Sequence, residues 1–192
     1  MPFNIPILLT WLRILLIPLM IGIYYVPDSW IIGIGRDFSA MLVFVVAGLT
    51  DWLDGYLARR WNETSAFGAF LDPVADKLVV AAALIMLVQL GRLDAILAAI
   101  IIGREITISA LREWMAQIGA HKSVAVSMIG KIKTTAQMVA IPMLLYHQPI
   151  ANFDAQYLGT WLIYIAAVLT LWSMGYYMRM AWPHLAEHDK KR

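Results

Sequence analysis

Four aspartates lie close together in a chain that is 61% hydrophobic. They fall in the stretch DWLDGYLARRWNETSAFGAFLDPVADK, between long apolar runs, at Asp51, Asp54, Asp72 and Asp76. On a helix that turns by about 100° per residue, the first two share one face and the last two share another. If residues 60–66 join two such helices as a hairpin, all four carboxylates converge. The spacing therefore predicts one acidic site built from two helices.

Such a site requires charge compensation, because four carboxylates within a few ångströms do not all stay ionised on their own. Either some of them are protonated or cations bind. Hard divalent cations such as Mg²⁺ or Mn²⁺ prefer oxygen ligands, and two of them balance four carboxylates. Paired metal ions of this kind serve phosphoryl transfer. Helix capping and surface solvation are the structural alternative, but ionisable groups at membrane depth are typically functional.

Small residues lie beside the carboxylates. Gly55 and Ala58 fall on the face of the first aspartate pair, and Gly68 lies one turn before the second pair. Glycine weakens a helix, so these positions either leave room for a ligand or let the two helices pack closely. Arg59 follows Ala58 directly and is suited to pairing with a phosphate.

The composition is that of a polytopic membrane protein. The 192 residues have a mean hydropathy of +0.69, and only 15% are charged. Six apolar runs are long enough to cross a bilayer as helices of roughly 20 residues; they cover about 4–25, 39–61, 69–90, 94–113, 125–147 and 157–180. The sequence thus predicts an all-α membrane protein with six transmembrane helices in one bundle. Residues 1–192 are expected to form a single domain with a short charged tail from about 183.

Basic residues are distributed unevenly between the two sides of the predicted bundle. With six spans both termini lie on one side, and 13 of the 15 Lys and Arg residues fall there, whereas Arg36 and Arg92 fall on the other. Because cytoplasmic loops carry the excess of basic residues, we expect both termini and the four aspartates at the cytoplasmic face. The absence of cysteine excludes disulfides and thiolate metal sites.

Basic residues within the later apolar runs are candidates for binding a second phosphate. They are Arg104, Arg112, Lys131 and Lys133. Ordinary placement of basic residues at the cytoplasmic face is the alternative, although Arg104 lies well inside the run AILAAIIIGREITISALR. Lys131 and Lys133 are about 200° apart on a helix, so at most one of them faces a given site squarely.

The polar residues of the first span are Asn4, Thr10 and Arg13. Thr10 and Arg13 are three residues apart and share a helix face. They either border a nucleotide or lipid pyrophosphate or have a structural role. In the structural role the Thr10 hydroxyl bonds back to its own helix, and the Arg13 side chain extends to the membrane interface.

The aspartates and small residues together match a known signature. The pattern Asp51-x2-Asp54-Gly55-x2-Ala58-Arg59-x8-Gly68-x3-Asp72-x3-Asp76 resembles the complete motif of the CDP-alcohol phosphatidyltransferases. The segments NIPILLTWLRILLIPL, GREITISALREWMA and SVAVSMIGKIKTTAQMVAI resemble one branch of that family, the bacterial phosphatidylglycerophosphate synthases. The family implies a homodimer of six-helix chains in the bacterial inner membrane, with the active site open to the cytoplasmic leaflet.

The resemblance also implies roles for individual residues. Asp51, Asp54, Asp72 and Asp76 are expected to bind two divalent metal ions, Mg²⁺ or Mn²⁺, and Asp76 is expected to be the general base. From the residue types and positions described above, rather than from the resemblance, contacts to CDP-diacylglycerol are expected from Asn4, Thr10, Gly55, Ala58, Arg59 and Gly68, and contacts to glycerol 3-phosphate from Arg104, Arg112, Lys131 and Lys133. The implied reaction transfers a phosphatidyl group from CDP-diacylglycerol to sn-glycerol 3-phosphate, giving phosphatidylglycerophosphate and CMP. We expect no nucleic-acid partner.

Other functions are compatible with the carboxylates alone. Serine, inositol, inositol phosphate or a second phospholipid could be the acceptor, and the motif does not separate these alcohols, although the basic residues favour a phosphorylated one. An ion transporter also uses carboxylates inside the membrane. Its carboxylates would be expected near the midplane and its sequence in inverted repeats, whereas these aspartates cluster at one predicted membrane face.

Overall fold

The computed structural model describes residues 5–27, 30, 35–61, 66–118, 128–149 and 154–189. Within these ranges, the side chains of residues 5, 6, 59, 66, 69, 128, 129, 131 and 183–189 are not described. The regular secondary structure of the described residues is entirely helical, as the sequence predicts. The helices are α1 (Ile5–Gly22), α2 (Arg36–Trp61), α3 (Ala66–Gln89), α4 (Ala95–Gln117), α5 (Met128–Tyr146) and α6 (Ala155–Asp189).

These helices coincide with the six predicted spans to within a few residues, except at the end of the chain. There α6 continues to Asp189, although the sequence predicts a charged tail from about residue 183. Leu, Ala and Glu within HLAEHD are good helix formers, so the helix extends beyond the apolar run. Residues 62–65 of the predicted hairpin lie outside the described part of the chain.

The surface of the helices is apolar. By length and composition alone, two segments of the described chain are long and apolar enough to cross a membrane, Arg36–Ala58 and Ala155–Trp182. A shorter apolar helix covers Ile7–Gly22, and the other three helices carry charged residues along their length. Large apolar side chains are exposed on all six helices, among them Leu15, Leu49, Ile85, Ile106, Ile132 and Val168. Such extensive exposure of apolar side chains indicates a membrane protein.

The six helices pack as a ring in which α3 additionally contacts α2 and α5. α1 contacts α2 and α3, α2 contacts α5, α5 packs along α6, and α4 connects α6 to α3. Small residues such as Ala40, Ala83 and Ala140 are fully buried in the core and let the helices approach one another. Helices α5 and α6 approach closely at Gly159, where a side chain would not fit without displacing its neighbour. A Cβ added at Gly159 would lie 3.0 Å from Cγ of Leu144.

One end of the bundle is held by Arg92, in the turn between α3 and α4. The turn contains Gly91 at φ +68°, and the Arg92 N–H donates to the carbonyl oxygen of Leu87, as in a Schellman motif. The Arg92 guanidinium donates to both carboxylate oxygens of Asp37 at 2.8 Å and to the carbonyl oxygen of Leu145 at 2.6 Å. It therefore joins the start of α2, the α3–α4 turn and the end of α5.

The Arg92 cluster lies far from the four aspartates. Asp37 precedes Asp54 by 17 residues on α2, which corresponds to about 25 Å along the helix axis. Arg36 lies at the same end as Asp37 and donates to the carbonyl oxygen of Val26 at 2.7 Å. The two basic residues that the sequence assigns to the other side are thus remote from the aspartates.

Replacing Arg92 should destabilise the fold. In Arg92→Met the aliphatic stem is kept, but the Asp37 carboxylate and the carbonyl of Leu145 lose their donor. A broken, partly buried ion pair leaves an uncompensated charge, so we expect the free energy of unfolding in detergent to fall by about 2 kcal/mol. Arg60, which is exposed and donates to Tyr56 within its own helix, provides the control variant Arg60→Met. Equal denaturation midpoints for the two variants would contradict this role of Arg92.

Candidate functional site

A buried arginine from α1 joins three of the four aspartates. Arg13 is 1% exposed. Its Nη1 lies 2.9 Å from Oδ1 of Asp51 and 2.9 Å from Oδ1 of Asp76, and its Nη2 lies 2.5 Å from Oδ2 of Asp54. The Arg13 side chain does not extend away from the bundle, because the face of α1 that carries it packs against α2 and α3. The structure therefore brings carboxylates of two helices together on a guanidinium from a third.

The fourth aspartate is contacted by the same face of α1. Thr10 lies three residues before Arg13, is 1% exposed, and its hydroxyl donates to Oδ1 of Asp72 at 2.5 Å. The hydroxyl thus contacts a neighbouring helix, beyond any bond to its own. Through Thr10 and Arg13, α1 contacts all four carboxylates, and the convergence expected from helical periodicity is present.

The carboxylates differ in their access to solvent. The side chain of Asp54 is 3% exposed, whereas those of Asp51 and Asp76 are 36% and 43% exposed. A ligand that approaches the group from solvent therefore reaches Asp51 and Asp76 first. Asp54 lies behind them, against Arg13.

The donor set suits a hard divalent cation, although the side chains do not form a ready cage. No three His, Cys, Asp or Glu side chains in the described residues are grouped so as to hold a metal ion, and Arg13 lies among the aspartates. One guanidinium does not compensate four carboxylates, so the group still requires protons or further cations. Its donors are carboxylate oxygens, which Mg²⁺ and Mn²⁺ prefer.

The small residues of the motif lie next to the carboxylates. Gly68 is buried on α3, and Gly55 and Ala58 are partly buried on α2. Three residues predicted to bind substrate fall outside the described part of the structure: Asn4 entirely, and Arg59 and Lys131 in their side chains.

A second feature adjoins the carboxylates, a cavity of about 270 Å³ between α3, α4 and α5. Its polar lining comprises Asp76, Lys77, Arg104, Glu105, Ser109, Arg112, Thr134 and Gln137. Ligand pockets typically measure about 300–1,000 Å³, so this cavity is suited to a small polar molecule. Asp76 is one of the aspartates that contact Arg13, and it also lines the cavity.

The two arginines predicted to bind a phosphate lie together in this cavity. Arg104 is 5% exposed and donates to Oγ of Ser173 at 2.9 Å and to Oε1 of Glu105 at 3.2 Å. Arg112 lies two turns further along α4 and is exposed. The guanidinium carbons of Arg104 and Arg112 lie 6.0 Å and 5.6 Å from the centre of the Tyr177 ring, which is within the range of cation–π attraction. The buried ring of Tyr177 on α6 thus supports both guanidiniums.

Lys133 is placed differently from the two arginines. It is 1% exposed, and its ammonium group forms an ion pair with Oε1 of Glu105, the carboxylate that also accepts from Arg104. Its charge is therefore used to position Glu105 beside the cavity, and it does not line the cavity itself. The prediction that Lys133 binds the acceptor phosphate directly is not supported by this position.

The residue pattern assigns no definite role to several residues of the site. They are Arg13, Lys77, Glu105, Ser109, Thr134, Gln137, Ser173 and Tyr177. Ser173 and Tyr177 are four residues apart on α6 and so share a face, and Ser173 lies in an apolar run, which is a recognisable signal. Their pairing with α4 depends on which helices are neighbours in the ring.

Comparison with known proteins agrees with the motif. Residues 3–172 match the family model described as CDP-alcohol phosphatidyltransferase. Relatives from Shigella flexneri serotype 5b, Shigella boydii serotype 4 and Escherichia coli K12 are each 52% identical over 183 residues, which cover 94% of this chain and 96% of theirs. Each of these is named CDP-diacylglycerol–glycerol-3-phosphate 3-phosphatidyltransferase. Because the family model matches most of the chain, the chain belongs to the CDP-alcohol phosphatidyltransferase family.

Proposed function

We propose that this chain transfers the phosphatidyl group of CDP-diacylglycerol to sn-glycerol 3-phosphate, releasing CMP and forming phosphatidylglycerophosphate for phosphatidylglycerol and cardiolipin synthesis. The observation that carries the proposal is the position of Asp76. Its carboxylate is paired with Arg13, together with those of Asp51 and Asp54, and it also lines the cavity to which Arg104 and Arg112 contribute. This position supports a general base between a site for the lipid nucleotide and a site for a small phosphorylated alcohol.

Different residues of the cavity bind the acceptor phosphate and deprotonate the acceptor hydroxyl. Arg104 and Arg112 bind the phosphate of glycerol 3-phosphate through charge-assisted hydrogen bonds. Asp76 accepts the proton of the terminal hydroxyl as its oxygen attacks the phosphorus that bears diacylglycerol. The bond from that phosphorus to the bridging oxygen of the pyrophosphate breaks, and CMP leaves. Gly55, Ala58 and Gly68 leave space for the nucleotide beside the carboxylates, and Asn4, Thr10 and Arg59 are the further candidates for contacts with it.

Members of this family generally depend on divalent metal ions, and we assign two Mg²⁺ or Mn²⁺ ions to Asp51, Asp54, Asp72 and Asp76. When bound, these ions stabilise the negative charge of the pyrophosphate and of the departing CMP. The arrangement of Asp51 and Asp76 at the exposed edge of the group gives the ions a route from solvent.

The proposed orientation places this site at the cytoplasmic face of the bacterial inner membrane. All six helices cross the membrane as one bundle and one domain, with both termini in the cytoplasm. The distribution of basic residues supports this orientation. Of the 15 Lys and Arg residues, only Arg36 and Arg92 are assigned to the end of the bundle remote from the aspartates, and the side with few basic residues is expected to face away from the cytoplasm. Assembly as a homodimer completes the proposal and follows from the family resemblance.

An assay of CMP release tests the reaction and its acceptor. Purified protein in mixed micelles with CDP-diacylglycerol and Mg²⁺ should release CMP with glycerol 3-phosphate and not with serine or inositol, because the cavity offers cations for a phosphate. The larger inositol phosphate should be a poorer acceptor than glycerol 3-phosphate, because the cavity measures only about 270 Å³. Excess chelator should abolish the release, and added Mg²⁺ or Mn²⁺ should restore it. Comparable release with serine would refute the assigned acceptor, and full activity in chelator would refute the metal sites.

Arg104→Ala should weaken acceptor binding selectively. A hydrogen bond to a charged group contributes about 1.5–3 kcal/mol, so the KM for glycerol 3-phosphate should rise roughly ten- to a hundredfold, with the KM for CDP-diacylglycerol changing little. Arg179 is an exposed arginine on α6 that does not line the cavity, and Arg179→Ala provides the control for a general loss of positive charge. An unchanged acceptor KM in Arg104→Ala would remove Arg104 from the site.

Asp76→Asn should separate the base from the other carboxylates. Loss of a general base typically costs on the order of 10²–10⁴ in rate, so turnover should fall by this factor at saturating Mg²⁺ with CDP-diacylglycerol still bound. Asp72→Asn, which changes a carboxylate outside the cavity lining, should instead be partly rescued by high Mg²⁺. Near-normal turnover of Asp76→Asn would rule out its assignment as the base.

A further inference from the structure

One uncharged polar side chain in the lining of the acceptor cavity lacks a hydrogen-bond partner. Gln137 on α5 is 4% exposed and lines the cavity with Asp76 and Arg104. Its Nε2 is buried and has no hydrogen-bond partner among the described residues. A buried amide without a partner is unfavourable for folding, which points to a partner that is not part of this chain.

The other uncharged polar side chains of the cavity are already engaged. The hydroxyl of Ser109 donates to the carbonyl oxygen of Glu105 at 2.7 Å, and that of Thr134 donates to the carbonyl oxygen of Gly130 at 2.9 Å. Both therefore bond back to their own helices, as Ser and Thr often do. Gln137 remains as the neutral group of the described lining with a donor available to a ligand.

We propose that Gln137 binds the middle hydroxyl of glycerol 3-phosphate and makes the enzyme select acceptors that carry it. The inference rests on the proposed function. With the acceptor phosphate on Arg104 and Arg112 of α4 and its attacking hydroxyl at Asp76 of α3, the hydroxyl between them faces the third wall of the cavity, which is α5. A hydroxyl group both donates and accepts, so it satisfies a carboxamide in either orientation.

This role differs from a structural one in its effect on stability. A structural amide stabilises the fold through bonds to other residues of the chain, whereas Nε2 of Gln137 makes no such bond to a described residue. Gln137→Met keeps the length of the side chain and removes that donor. The variant should therefore unfold at the same temperature as the original chain or at a higher one.

The decisive experiment compares two acceptors in the full-length enzyme. One is glycerol 3-phosphate, and the other is 3-hydroxypropyl phosphate, which keeps the phosphate and the attacking hydroxyl but lacks the middle one. The original enzyme should prefer glycerol 3-phosphate in kcat/KM by roughly tenfold, as the net value of one hydrogen bond implies. In Gln137→Met the preference should fall to about twofold or less, through loss of activity with glycerol 3-phosphate alone.

Two further variants make the result unambiguous. Gln89→Met removes a glutamine that donates to Tyr25 outside the cavity, and it should keep the original preference. Gln137→Asn withdraws the amide by one methylene and should give an intermediate preference. An unchanged preference in Gln137→Met, or equal losses with both acceptors together with a lower unfolding temperature, would overturn the role of Gln137. If the original enzyme released CMP with neither acceptor, the proposed function would fail first and this inference with it.

Discussion

The pairing of Arg13 with three carboxylates is the interaction on which the rest of the structure depends. A carboxylate as buried as that of Asp54, with 3% of its side chain exposed, costs several kcal/mol unless a charge partner is present. Arg13 supplies that partner from a separate helix, and its planar guanidinium presents several donors at once. The contact holds α1, α2 and α3 together at the end of the bundle where the chemistry is proposed. A lysine, with one point charge, could not contact three carboxylates with the same geometry.

A second group of charges is organised on different principles. Around the cavity, Arg104 lies on the face of Tyr177 and donates to Ser173, while Glu105 joins it to Lys133. The positive charges here are held in place by an aromatic ring and a hydroxyl of α6, so their attraction is not fully consumed by carboxylates. The acidic group therefore favours cations and the basic group favours an anion, and Asp76 lies where the two meet. Opposite preferences side by side are what a reaction between two phosphate-bearing substrates requires.

Sequence reasoning was most successful where contacts are local. The spacing of Asp51 and Asp54, and of Asp72 and Asp76, predicted shared faces, because position around a helix depends only on residue number. Periodicity does not determine the position of Arg13, since the choice between an extended and a buried side chain depends on which face of α1 packs against α2 and α3. Likewise Ser173 and Tyr177 are separated from Arg104 by about 70 residues of sequence. Only the order of helices in the ring brings them together, and periodicity carries no information about that order.

The location of Arg13 on α1 has a consequence for how the protein is made. A chain is synthesised from its N-terminus, so the helix that carries Thr10 and Arg13 exists before either helix that carries the aspartates. As α2 and then α3 emerge, each pair of carboxylates meets a hydroxyl or a guanidinium that is already in place. In the reverse order the four acidic side chains would emerge before Thr10 and Arg13, their partners in the folded chain. The arrangement of the site thus matches the direction of translation.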